Sequence, residues 1–104
     1  MLSHAQIEEI CREIKTGFDP EKIVLFGPHA FGKAGKKSDI DLLVVTPTDL
    51  PEPKRYSAVS RLLKGFPAKF NLLVKTPEEY ARQRQAVTHI VYFADKYGKV
   101  IYER

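Results

Sequence analysis

Residues 25–45 read LFGPHAFGKAGKKSDIDLLVV. The apolar run Ile23-Val24-Leu25-Phe26 is a short strand that ends abruptly at Gly27-Pro28. A polar segment follows, with glycines at 32 and 35 and lysines at 33, 36 and 37. Asp39-Ile40-Asp41-Leu42-Leu43-Val44-Val45 is the clearest strand of the chain. Successive strand side chains point to opposite faces. Asp39 and Asp41 therefore share one face, and Ile40, Leu42 and Val44 the other. Carboxylates at i and i+2 lie roughly 6–7 Å apart at their Cα atoms. That spacing suits a grip on a divalent metal, and hard oxygen ligands favour Mg²⁺ or Mn²⁺. Two negative charges at the head of an apolar strand are costly unless something positive meets them. An isolated Asp-x-Asp is ordinarily solvated or capping. Here a strand, a glycine turn and a second strand surround it, and Gly27 permits close backbone approach to a phosphate.

Outward from this stretch, helices alternate with strands. Ser3 and Gln6 form a capping-box signature. Ile7, Ile10, Cys11 and Ile14 then repeat at helical spacing, which predicts a helix over about residues 4–16. Thr46 to Pro53 holds three prolines and is expected to be a loop. Tyr56, Val59, Leu62 and Leu63 give a second helical face, broken at Gly65 to Pro67. Phe70 to Val74 is a third strand. Thr76-Pro77-Glu78-Glu79 starts a helix. Its apolar face, Val87, Ile90, Val91 and Ala94, continues to about Lys96 after a break near Gln85. Gly98 closes it before a last strand, Val100 to Tyr102. The alternation predicts an α/β chain of the two-layer α+β kind, a mixed sheet with helices packed on it.

The sequence has 104 residues, 43% hydrophobic and 29% charged, a composition ordinary for one globular domain spanning residues 1–104. Apolar runs such as Leu42 to Val45 are far too short to span a membrane. No basic-then-apolar leader opens the chain. The single cysteine, Cys11, excludes an internal disulfide, fits a reducing cytoplasm and is expected in the core. His4, His29 and His89 are too scattered for a histidine metal site. A formal net charge of +4 is compatible with phosphate-bearing ligands. Nucleic acid is not the expected partner, because no recognition motif or aromatic-basic platform stands out.

The stretch Gly27-Pro28, ten residues (His29 to Ser38), then Asp39-Ile40-Asp41, within Ser38 to Val44, resembles the signature of the minimal nucleotidyltransferases, small members of the polymerase beta-like nucleotidyltransferase superfamily. The likeness continues through Phe70 to Val74, Thr76-Pro77-Glu78-Glu79 and Gly98 to Glu103. It implies transfer of a nucleoside monophosphate from an NTP, ATP by expectation, to a hydroxyl. The triphosphate would lie near Gly27, Pro28, Ser38 and Lys37. Asp39 and Asp41 would hold Mg²⁺ or Mn²⁺ and act with residue 71 in catalysis. Some relatives pair with a HEPN-type toxin and attach AMP to it as antitoxins.

The chain departs from that pattern inside the site. Pro28 stands where the family has serine, which removes a hydroxyl and a backbone N–H together. His29 and Phe31 occupy places where small members often carry arginine. Asn71 occupies the third carboxylate position; it can offer a carbonyl oxygen to a metal but is no base near neutral pH. Lys33, Lys36 and Lys37 either approach the triphosphate or are solvated. Lys69 alternates with Asn71 and, on the carboxylate face, would partly neutralise Asp39 and Asp41. Two readings stay open: a weakened or specialised nucleotidyltransferase, and a catalytically degenerate binding module acting as antitoxin to a HEPN-type partner.

Overall fold

A computed structural model of the chain describes residues 2–35 and 38–104. Helix α1 spans His4–Lys15 and strand β1 Lys22–Phe26. They are followed by β2 (Ile40–Val45), α2 (Glu52–Leu62), β3 (Phe70–Lys75), α3 (Pro77–Gln83), α4 (Ile90–Tyr97) and β4 (Lys99–Glu103). The sheet order is β3-β2-β1-β4. β1 pairs antiparallel with β2 and β4, whereas β2 and β3 are parallel, with α2 as their crossover.

The local signals explain most of these elements. Ser3 Oγ accepts the Gln6 amide and Gln6 Oε1 accepts the Ser3 amide, so both halves of the capping box form. Thr76 and Glu79 make the same reciprocal pair at α3. Two boundaries differ from the sequence expectation. The proline-rich loop ends earlier, because α2 begins at Glu52 with Pro51 at its cap and Pro53 in its first turn. A first helical turn needs no N–H from those positions, so proline is tolerated there. The break near Gln85 separates two helices, α3 and α4, and His89 caps the second by accepting the Val91 amide at Nδ1.

β2 is buried between two apolar clusters. Ile40, Leu42 and Val44 pack with Ile10, Cys11 and Ile14 of α1 and Val59 of α2. Leu43 and Val45 face the other way, with Tyr80 of α3 and Val91 and Ala94 of α4. The sheet with α1 and α2 forms the two-layer body, and the short α3 and α4 cover part of the opposite face. Cys11 is buried as expected; burial, the largest influence on its thiol, raises the pKa. Tyr56 departs from the expected inner face of α2 and is 46% exposed.

Candidate functional site

Asp39 immediately precedes β2 and Asp41 is its second residue. Asp41 lies opposite Phe26 on β1 and opposite Asn71 on β3. Three neighbouring strand ends thus deliver Gly27, the two carboxylates and Asn71 to one place. The Asp41 parity matches Leu43 and Val45, so the carboxylates share the sheet face of α3 and α4, at an end those helices leave open. Asn71 Nδ2 donates to Asp41 Oδ1 at 2.8 Å and to Asp39 Oδ2 at 3.3 Å. One point therefore lies within hydrogen-bond reach of both carboxylates. A small cation placed there would find two hard oxygens, so the donor set fits a divalent metal. Among the described residues no cluster of three His, Cys, Asp or Glu side chains exists, and the carboxylate set stops at two.

Gly27 adopts φ +74°, and a Cβ there would collide with Asp41 Oδ2. Glycine is required twice over, by the left-handed backbone and by the close approach of the carboxylate. The segment after it coils into a turn. The Ala30 amide donates to Gly27 O, and the Phe31 and Lys33 amides both donate to Pro28 O. Three backbone donors are thus engaged internally, and Pro28 has none to offer. His29 Nε2 lies 3.1 Å from Ser38 O, tying the start of the segment to the residue before Asp39. A carbonyl oxygen only accepts, so Nε2–H donates in that contact, and Nδ1 is buried without a partner among the described residues. Ser38 Oγ accepts the Gly35 amide at 3.0 Å.

The sequence-derived residues are placed as follows. Gly27, Asp39, Asp41 and Asn71 come together. Pro28 and Ser38 bracket the adjoining segment, and Lys37, like Lys36, lies outside the described residues. Lys69 makes no ion pair with Asp39 or Asp41; the bridging donor is the Asn71 amide. Phe31, which stands in the turn where small members often carry arginine, is 46% exposed.

One feature of the site is absent from the motif. A cleft of about 760 Å³ opens beside Asp39 and Asn71, between α2 and the approach to β3. Arg61, Lys64 and Lys69 line it with Tyr56, Phe66 and Phe70. Its one sequence signal is the spacing of Tyr56, Ser60 and Lys64, which puts them on one stripe of α2 and its extension.

Residues 4–102 match the model of the nucleotidyltransferase domain, and the chain belongs to that family. Domains of this family generally use a divalent metal. Solved structures with the same fold include a toxin–antitoxin complex with AMP-PNP (20% identity, TM-score 0.65, covering 94% of this chain and 73% of that one). Another is a protein assigned as a nucleotidyltransferase from Sulfolobus solfataricus (22%, 0.65, 95% and 79%). A third is the complex of tri-AMPylated Shewanella oneidensis HEPN toxin with MNT antitoxin (18%, 0.57, 94% and 70%). At these identities the likeness concerns the fold. No curated protein matches the chain. Among the described residues, no helix is long and apolar enough to cross a membrane.

Proposed function

We propose that residues 1–104 form a single cytoplasmic domain that moves a nucleoside monophosphate from an NTP, ATP first among them, to a hydroxyl on a HEPN-type partner protein. The observation that carries this reading is the convergence of Asp39 and Asp41 on one point, 3.3 and 2.8 Å from their respective oxygens. Asp39 and Asp41 would hold Mg²⁺ or Mn²⁺ there, and Asn71 could offer its carbonyl oxygen. The bound ion supplies charge stabilisation at the reacting phosphate. Gly27 lets the chain pass close to the triphosphate, Ser38 offers its hydroxyl, and Lys37 adds a cation. Asn71 contributes no base.

The same geometry predicts a modest rate. General-base assistance is typically worth about 10²–10⁴, and the residue facing both carboxylates has no basic atom. The turn after Gly27 also has three amides engaged internally. This favours, as a second reading, an antitoxin that acts by contact alone, with the Asn71 amide standing in for the cation.

Incubation of the protein with α-labelled ATP, Mn²⁺ and a HEPN-type partner separates the two. Label on the partner, abolished by Asp41→Ala, is expected from the transferase reading. A stable complex that never acquires label under any metal or nucleotide overturns transfer and leaves the binding module.

A further inference from the structure

We propose that the cleft between α2 and the approach to β3 is the acceptor site, and that it takes a hydroxyl-bearing, acidic segment of a protein. The inference rests on the nucleotidyl-transfer reading and adds where the acceptor enters and what recognises it. In phosphoryl-group transfer the attacking and leaving oxygens lie roughly in line, on opposite sides of the phosphorus. Gly27, near which the pyrophosphate would leave, lies on the β1 side of Asp41. The attacking hydroxyl must then arrive from the β3 side, about two strand spacings or roughly 10 Å across. The cleft opens there, at the β3 edge on the α2 side, with Asp39 and Asn71 in its wall but neither Gly27 nor Asp41.

The lining identifies the acceptor's chemistry. Five cations outside the cleft are paired: Arg55 to Glu79, Lys75 to Glu52, Lys22 and Arg84 to Asp95, Arg104 to Asp19. Arg61, Lys64 and Lys69 are exposed, and none forms an ion pair among the described residues. Asp39 is the one acidic residue of the wall, at its catalytic end. Three uncommitted cations over one opening select a negatively charged partner. Tyr56, Phe66 and Phe70 provide apolar surface against which the acceptor side chain can lie. In the transfer, the acceptor oxygen bonds to Pα and the bond from Pα to the α–β bridging oxygen breaks. Its electron pair leaves on pyrophosphate, and the hydroxyl proton passes to water in the open cleft.

The test uses the whole protein and three labelled probes: a peptide with a central tyrosine flanked by glutamates, the same peptide flanked by lysines, and a single-stranded oligoribonucleotide. Fluorescence anisotropy should show the glutamate peptide binding at least about tenfold more tightly than the lysine peptide. The triple variant Arg61→Glu, Lys64→Glu, Lys69→Glu should weaken it about tenfold, as expected of three exposed ion pairs. AMP-PNP affinity and the circular dichroism melt should stay unchanged, since all three side chains are exposed. Equal binding of the two peptides, or undiminished binding by the triple variant, overturns the assignment. Tighter binding of the oligoribonucleotide than of the glutamate peptide also overturns it, in favour of a nucleic-acid site. A wild type that binds the glutamate peptide but no nucleotide sinks the transfer reading while upholding the cleft as the docking site.

Discussion

The parallel pair β2–β3 ends in two different ways. At its far end Lys75, at the close of β3, is buried and bonds Glu52 at 2.9 Å. Beside it the buried Arg55 guanidinium donates to Glu79 at 2.7 Å, to Val74 O at 3.3 Å and, through Nε, to Leu50 O at 2.6 Å. Each of these four charges has a partner within the chain. At the near end two carboxylates face a neutral amide, and three cations line an opening without ion-pair partners among the described residues. A buried charge left unpaired is strongly destabilising, whereas an exposed one is nearly free. The fold can therefore keep one end rigid and leave the other chemically unfinished. That contrast locates stability and function at opposite ends of the same two strands.

The largest effect expected from the contrast is at the rigid end. Arg55→Ala leaves Glu79 and two carbonyls without their donor. The loss should be about 3 kcal/mol, somewhat under a fully buried pair because the Glu79 side chain is 22% exposed. Urea unfolding measures it, and a loss below about 1 kcal/mol would break the comparison. Next comes Gly27→Ala at the open end, where only backbone and steric cost act. The left-handed conformation and the displacement of Asp41 Oδ2 should together cost about 2 kcal/mol. In an Asp41→Gly background the steric part should vanish and roughly half the cost remain. A double-mutant cycle with no coupling would show that Asp41 does not rest against Gly27.

A smaller effect separates the ends by pH. Burial alone would raise the Glu79 pKa, but the Thr76 amide and Arg55 outweigh it and hold the carboxyl below the ordinary glutamate value. A lowered folded-state pKa contributes stability above the unfolded value, about 4.3, and that contribution is lost as pH falls through the folded value. Wild type should therefore lose more stability than Glu79→Gln when acidified below about pH 4. At neutral pH Glu79→Gln should cost about 1.5 kcal/mol, the worth of a charge-assisted hydrogen bond. Parallel acid-unfolding curves for the two proteins would remove Glu79 from the account of the rigid end.

How much of this was legible follows from the range of each interaction. Gly27, Asp39 and Asp41 were readable because strand alternation and a glycine turn are local patterns. Asn71 was placed by resemblance, since its register against Asp41 joins residues 30 apart. That its amide hydrogens, not its oxygen, face both carboxylates depends on a side-chain torsion that no sequence pattern encodes. The cleft was not legible. Tyr56 falls at helical spacing with Val59 and Leu63, and spacing cannot tell an aromatic ring on the core from one beside an opening. The Arg55–Glu79 pair, 24 residues apart, was invisible for the same reason of range.

The smallest expected change in stability is also the most informative about the open end. Asn71→Asp removes two N–H donors and sets a third carboxylate against the first two. Without metal the loss should be only about 0.5–1 kcal/mol, because Asn71 is exposed and water screens the repulsion. With Mn²⁺ the sign should reverse. A third anionic oxygen raises affinity, by an expected tenfold or more, and a ligand that binds only the folded state stabilises it by RT ln(1 + [L]/Kd). The melting temperature in chelator should therefore fall below wild type, and in Mn²⁺ rise above it. Asn71→Ala separates the two causes: it removes the donors without adding charge, so it should melt early in chelator and gain no more from Mn²⁺ than wild type does. If Asn71→Asp melts above wild type in chelator, the amide is not what relieves the carboxylates. Mn²⁺ shifts that are equal in all three proteins would place the ion away from residue 71, and the open end would lose its claim to be a metal site.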